Sequence, residues 1–313
     1  MKNIIITVLV ILILLISGFF LLKGSSESVS LSEDEESSME DSENSEENNT
    51  EDTEVDPTKT VIGTSVEGRE ITAHHYGNGD DELLFIGGIH AGYSWNTVLV
   101  ARELMNFLEN DEDVIPENIK VTVIPVMNPD GLNKIFGTDG EFGRSDAPSS
   151  IEDTVDGRFN ANEVDLNRNF DCDWKTESKW QNRTVDGGSV EFSEPESIAV
   201  RDYVNNSNPS AIVTWYSAAG GVFASNCFGS VSAETKEITN LYADSAGYKA
   251  YEEFDFYEIN GDMVNWFAKR DIPAISVLLT NHKDVEWSKN RNGIEALLEY
   301  YAKEDGGSDE DEE

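Results

Sequence analysis

Four short apolar runs set what this chain can fold into: "ELLFIGG" (residues 82–88), "IKVTVIPV" (119–126), "AIVTWYS" (211–217) and "IPAISVLL" (272–279). Each has the length of a strand, is apolar almost throughout, and stops at Gly, Pro or small polar residues. Strands of that kind are covered on both faces, as in parallel sheets. Segments with helical spacing alternate with them. "TVLVARELMNFLEN" places Val98, Ala101, Met105 and Leu108 on one face, "SAETKEITNLYADSAG" is closed by Gly247, and "NRNGIEALLEYYAKE" ends the body. The alternation predicts an α/β domain on a largely parallel sheet, with ligands bound at the strand carboxyl ends. His90, the Asn128 segment, Tyr216 and Thr280-Asn281-His282 all fall at such ends.

Local signals add detail. "TVIGTSVEGREITAHHYG" alternates about Glu67-Gly68 and reads as a hairpin. Asn128-Pro129-Asp130-Gly131 reads as a turn. About 50 residues with little periodicity follow it, a length that usually carries function. "SEPESIAVRDYVNN" starts a helix with Ser193 as N-cap, Pro195 at the first position and Glu196 at the capping-box position.

Charge bounds the partners. The 313 residues carry a formal net charge of −40, and between Ser25 and Thr58 there is no Lys or Arg. Such a stretch cannot bury enough apolar surface to offset its ordering entropy, so residues 24–59 read as an acidic, disordered linker, and 305–313 as an acidic tail. A body this acidic excludes nucleic acid and anionic bilayer surfaces as direct partners. Asn3 to Leu22 is nearly all apolar and long enough to span a bilayer, with no small-x-small cleavage site after it. Residues 1–23 therefore read as a single-pass signal anchor that leaves a 60–304 domain on the extracytoplasmic side. Cys172 and Cys227 are either one disulfide or two buried thiols.

The long loop ends in "GRFNANEVDLNRNF" (157–170). With "GGIH", "NPDG" and "FSEPE" in the same order, it resembles the zinc carboxypeptidase family (carboxypeptidase A-like), especially bacterial members acting on cell-wall peptides. The resemblance covers about residues 60–303 and implies an α/β/α sandwich on a mixed sheet. It also implies roles. Asn167 and Arg168 match the pair that binds a peptide's terminal carboxylate, Arg158 the arginine that polarises the scissile carbonyl, and Tyr257 the substrate-capping tyrosine.

The family's metal and base positions depart from the pattern. His90 matches the first zinc ligand, but Tyr93, or Ser94 if one residue is inserted, stands where the family has glutamate. Tyr216 stands at the third ligand, and Leu278 at the general-base glutamate. One ligand of three survives, and leucine takes no proton from water. No cofactor is expected on this reading. The chain would be a membrane-anchored, non-hydrolytic relative that binds peptides or cell-wall peptides with a free carboxylate. One alternative is a hydrolase with a relocated zinc site built from His90, Cys172, Cys227 and His282. Another is a purely structural ectodomain.

Overall fold

A computed structural model describes residues 56–304. The proposed anchor and most of the proposed linker lie outside the described residues, as does the acidic tail. Among the described residues no helix is long and apolar enough to cross a membrane.

Among the described residues, ten strands and six α-helices are arranged as follows. A hairpin, β1 (Lys59–Thr64) and β2 (Glu70–Tyr76), leads to β3 (Asp81–Ile86), α1 (Trp95–Asn110), β4 (Ile119–Ile124) and α2 (Pro129–Phe136). After the long loop, which carries the small hairpin β5 (Glu177–Trp180) and β6 (Arg183–Asp186), come α3 (Pro195–Ser207), β7 (Ala211–Ser217) and β8 (Gly221–Ala224). Then follow α4 (Ala233–Ala246), β9 (Lys249–Tyr251), α5 (Met263–Lys269), β10 (Ala274–Leu279) and α6 (Trp287–Glu304).

Eight strands form one sheet in the order β1-β2-β4-β3-β7-β10-β8-β9. The middle four, β4-β3-β7-β10, are parallel and are the four apolar runs. Antiparallel pairings join β2 to β4 and β8 to β10, so the sheet is mixed, as the resemblance implies. Alternate residues feed two cores. Phe85, Val213, Trp215 and Val277 face α1, α4 and α6 through Leu104, Tyr242 and Leu297. Leu84, Ile212, Tyr216 and Leu278 face α3 and α5 through Val200, Met263 and Phe267. The register is exact enough to aim the site: Leu278 lies beside Tyr216 on one side and Gly221 on the other, and Ser276 beside Phe223.

Two local expectations are corrected. Asn128-Pro129-Asp130-Gly131 opens α2 instead of turning the chain back: the Asn128 side chain accepts from the Gly131 N–H, and Pro129 takes the first helical position. Turn and helix start share these signals, because Pro lacks the N–H that both leave unpaired. The N-cap of α3 is Glu194, not Ser193, and makes no side-chain cap. Glu196 instead accepts from the Val66 N–H at 3.1 Å and from Asn160 at 3.1 Å, tying the first hairpin to the long loop.

Candidate functional site

The cleft at the carboxyl ends of β7 and β10 has a volume of about 500 Å³. His90, Tyr93, Arg158, Asn167, Arg168 and Tyr216 line one end of it, and Leu278, Tyr257 and His282 also reach it. The structure thus brings the residues singled out in the sequence together at one cleft. Their bonding is less expected.

Asp165 is the centre of the charged end and is fully buried. Its Oδ2 accepts from Arg158 Nε at 2.9 Å and Nη2 at 2.8 Å. Its Oδ1 accepts from His90 Nε2 at 3.0 Å and from the Asn167 N–H at 3.2 Å. Arg158 Nη1 donates to His90 Nδ1 at 3.2 Å. The network is consistent only if the His90 proton sits on Nε2, so both ring nitrogens are engaged. The Arg158 guanidinium also lies over the Trp180 ring, 4.4 Å from its centroid. The backbone brings these groups together through two glycines. Gly92 donates to the Gly157 carbonyl at 3.0 Å, and a Cβ on Gly157 would stand 2.6 Å from the Gly92 Cα.

Burial pushes His90 down to about 4 from the ordinary 6.5, helped by the Arg158 charge and opposed by Asp165. His282, whose ring lies 4.4 Å from that of Tyr93, is likewise pushed to about 4 by burial and then by Arg158. Both rings are neutral at pH 7. The sign for stability follows. Between about 4 and 6.5 the unfolded chain binds protons that the folded chain refuses, so stability rises with pH across that window and is lost as pH falls through it. Urea midpoints measured from pH 4 to 7 are expected to climb steadily. His282→Phe should remove about one proton's share of the slope; an unchanged slope would count against the assignment of His282.

Arg168 is buried and forms the second charged group. Its Nε and Nη2 donate to the Lys179 carbonyl at 3.0 and 2.9 Å, and its Nη1 donates to the Asn167 carbonyl. Among the described residues no carboxylate pairs with it. Of its five N–H groups, one on Nη1 and one on Nη2 are left. Asn167 is more fully used: its Nδ2 donates to Asp262 Oδ2 at 2.8 Å, and its Oδ1 accepts from the Tyr216 hydroxyl at 3.0 Å and the Met263 N–H at 3.2 Å. Burial raises Asp262 and holds Tyr216 far above its ordinary value, so the tyrosine acts as a neutral donor. The chain crosses behind Arg168 at Gly261 (φ 63°), where a Cβ would meet the Arg168 carbonyl at 2.1 Å.

A zinc ion in the family's position would need free donor atoms here. His90 has none. Tyr216 spends its hydroxyl on Asn167, and Leu278 offers only hydrocarbon. Tyr93 takes the place facing the cleft, its ring 5.1 Å from that of Trp180, while Ser94 is buried at the N-cap position of α1, where its hydroxyl makes no cap hydrogen bond. Among the described residues no three His, Cys, Asp or Glu side chains stand together as a metal site. The residues present do not fit a zinc ion. The relocated site is corrected too: Cys172 and Cys227 are joined in a disulfide, so neither is a thiolate ligand. Tyr257 reaches the cleft rim within the Tyr93–Trp180 aromatic group.

The sequence reading left out three residues at this site. Asp165 lies two positions before Asn167 in the motif, a signal that was available. Trp180 ends the short strand β5 and Asp262 is the N-cap of α5, each far from the motif in sequence, and no local signal places either at this site.

Known proteins share this fold. The zinc carboxypeptidase family profile matches residues 48–292. Bacteriocin BCN5 of Clostridium perfringens is 36% identical over 86 residues, covering 26% of this chain and 10% of that protein. The chain spans about a tenth of the length of the curated relatives it matches. Carboxypeptidase A from Helicoverpa armigera superposes with a TM-score of 0.61 at 18% identity, over 80% of this chain and 69% of that one. Murein-tripeptide amidase MpaA from Escherichia coli O157 gives 0.52 at 18% identity, over 78% and 92%. At such identities the likeness is one of fold. The profile, in contrast, spans most of the sequence and includes the motif that builds the charged end of the cleft, and this chain belongs to the zinc carboxypeptidase family.

Proposed function

We propose that the domain binds the free carboxylate end of peptides without hydrolysing them, and that its N-terminal apolar segment anchors it outside a membrane. One observation carries the reading: Arg168 is buried at the cleft with no acidic partner among the described residues, and one N–H is left on each of the two terminal nitrogens of its planar guanidinium. A planar group of that kind takes a carboxylate through two parallel bonds. The non-hydrolytic half rests on Leu278, Tyr216 and the double engagement of His90. The anchor rests on the sequence from Asn3 to Leu22. Carboxypeptidases and a murein-tripeptide amidase share the fold, so ordinary and cell-wall peptides are both ligand candidates.

Titration calorimetry with free and amidated forms of short peptides tests this. Free forms are expected to bind about tenfold tighter, within the roughly 1.5–3 kcal/mol of a charged hydrogen bond. Arg168→Lys should lose most of that difference while keeping the charge. Equal binding of both forms, or an Arg168→Ala variant that binds like wild type but unfolds more easily, would assign Arg168 to holding Lys179 and the β5–β6 hairpin instead.

A further inference from the structure

Besides its charged end the cleft has an aromatic end, lined by Phe223, Phe254 and Phe256, and an outer edge formed by Trp180 and Gln181 of the β5–β6 hairpin. That hairpin has two faces, because side chains alternate along a strand and cross-strand partners share a side. Glu177 pairs with Asp186 and Lys179 with Thr184, and all four are exposed. Ser178 pairs with Val185 and Trp180 with Arg183, and of these only Arg183 is not buried. Arg183 is thus the one charged side chain on the hairpin's inward face, next to the two-residue turn and beside the tryptophan that lines the cleft.

Arg183 is held there without a counter-charge. Its guanidinium lies over the Trp180 ring, 5.2 Å from the centroid. Such a contact occupies the flat face of the group and leaves its N–H edges free. No carboxylate pairs with it among the described residues. Other surface cations of this acidic chain do have an acid close by: Lys134 has Glu163, Arg144 has Asp284, Lys269 has Asp171 and Arg291 has Glu295. The neighbours of Arg183 do not cancel its charge either. Burial raises the Tyr93 hydroxyl, and the charges of Arg158 and Arg183 draw it the other way, so both cations bear on that group. Arg158 is matched by Asp165. Glu152 also acts on Tyr93, but it is exposed and engaged by the Ser150 hydroxyl.

One strand joins this arginine to the other unpaired one. The Lys179 carbonyl accepts from Arg168 at 3.0 and 2.9 Å, and Trp180 is the next residue. A peptide that starts with its carboxylate on Arg168 and leaves along the hairpin passes Arg183 within a few residues, each adding about 3.3 Å. We propose that Arg183 binds an acidic side chain at the second or third residue from the ligand's end, so that the domain selects peptides with an Asp or Glu shortly before a free carboxylate. The proposal rests on the carboxylate reading, which fixes where the ligand chain starts. The net charge of −40 does not oppose it. At 0.15 M salt, charges farther off than about 8 Å are largely screened, so the groups at the cleft edge decide.

Calorimetry on the full chain tests this. Pentapeptides of one neutral sequence carry Glu or Gln at the second or the third place from the end, each with a free and an amidated C-terminus. At one of the two places Glu is expected to bind about fivefold tighter than Gln, the upper range of a solvent-facing ion pair. The preference should fade as salt is raised. Arg183→Gln should abolish it and Arg183→Glu reverse it, both leaving the free-to-amide ratio as it was. Equal binding of Glu and Gln at both places, or a preference that survives Arg183→Gln, overturns the proposal even where free ends still beat amides. A Glu preference that Arg183→Gln removes, without any preference for a free end, overturns the carboxylate reading and leaves the Arg183 contact standing. No binding by any peptide at millimolar concentration overturns both.

Discussion

Asp165→Asn is expected to cost about 3–5 kcal/mol of stability at pH 7, the usual loss when one partner of a buried ion pair is removed. The asparagine can still accept from His90, but it leaves Arg158 as a guanidinium in a site only 3% exposed, with no counter-charge. Urea unfolding of the two proteins measures the loss directly. Arg158→Leu together with Asp165→Leu should cost far less than the two single changes summed, because no charge is then left behind. A loss below about 1 kcal/mol in Asp165→Asn would mean that cleft water solvates Arg158 well enough to replace the pair. The pH dependence has its own signature. Burial opposes ionisation of Asp165, yet Arg158 and then His90 overcome it and hold the carboxyl below its ordinary 3.8. Its stabilisation is thus complete above 3.8 and is lost only in strong acid, well below the window in which His90 and His282 act.

Cys172→Ala with Cys227→Ala is expected to remove about 2–4 kcal/mol. The bridge closes a loop spanning 55 residues, for which chain entropy alone gives roughly 4 kcal/mol. It also joins the stretch after Arg168 to the loop after β8, so the charged end and the aromatic end of the cleft are fastened to each other. Thermal unfolding with and without reductant gives the same answer without mutagenesis. Indistinguishable midpoints would place the bridge in a part of the chain that opens before the main transition. Loss of peptide binding at temperatures where the fold persists would show that the bridge keeps the two ends in register.

The fold was readable because its central strands are covered on both faces. Their sequences are continuously apolar, a pattern that solvent-exposed strands cannot tolerate, and each ends where the chain must turn out over the cleft. The small hairpin β5–β6 was hidden because its strands have only four residues each and one apolar side chain in alternate positions reaches the interior. At the site, residue identities were legible and bonds were not. That Tyr216 and Leu278 would stand at the ligand and base positions is what the family resemblance implies. That Arg158 turns to His90 depends on a contact between residues 68 positions apart. The pairing of the two cysteines was undecided for a similar reason, since it needed their Cα atoms to be 5.8 Å apart.

The guanidinium of Arg158 has a consequence for what substitutions in this cleft can do. An exchangeable cation leaves a binding site intact when it departs, and it can return. A covalently attached one cannot. With Arg158 donating to the nitrogen that His90 would offer, glutamate at 278 or histidine at 216 would each enter a pocket whose remaining donors are still spoken for. Either change alone adds a buried polar group without restoring a coordination sphere, and is disfavoured before it is useful. On the non-hydrolytic reading proposed above, no single substitution at 216 or 278 would therefore complete a metal-binding set in this cleft.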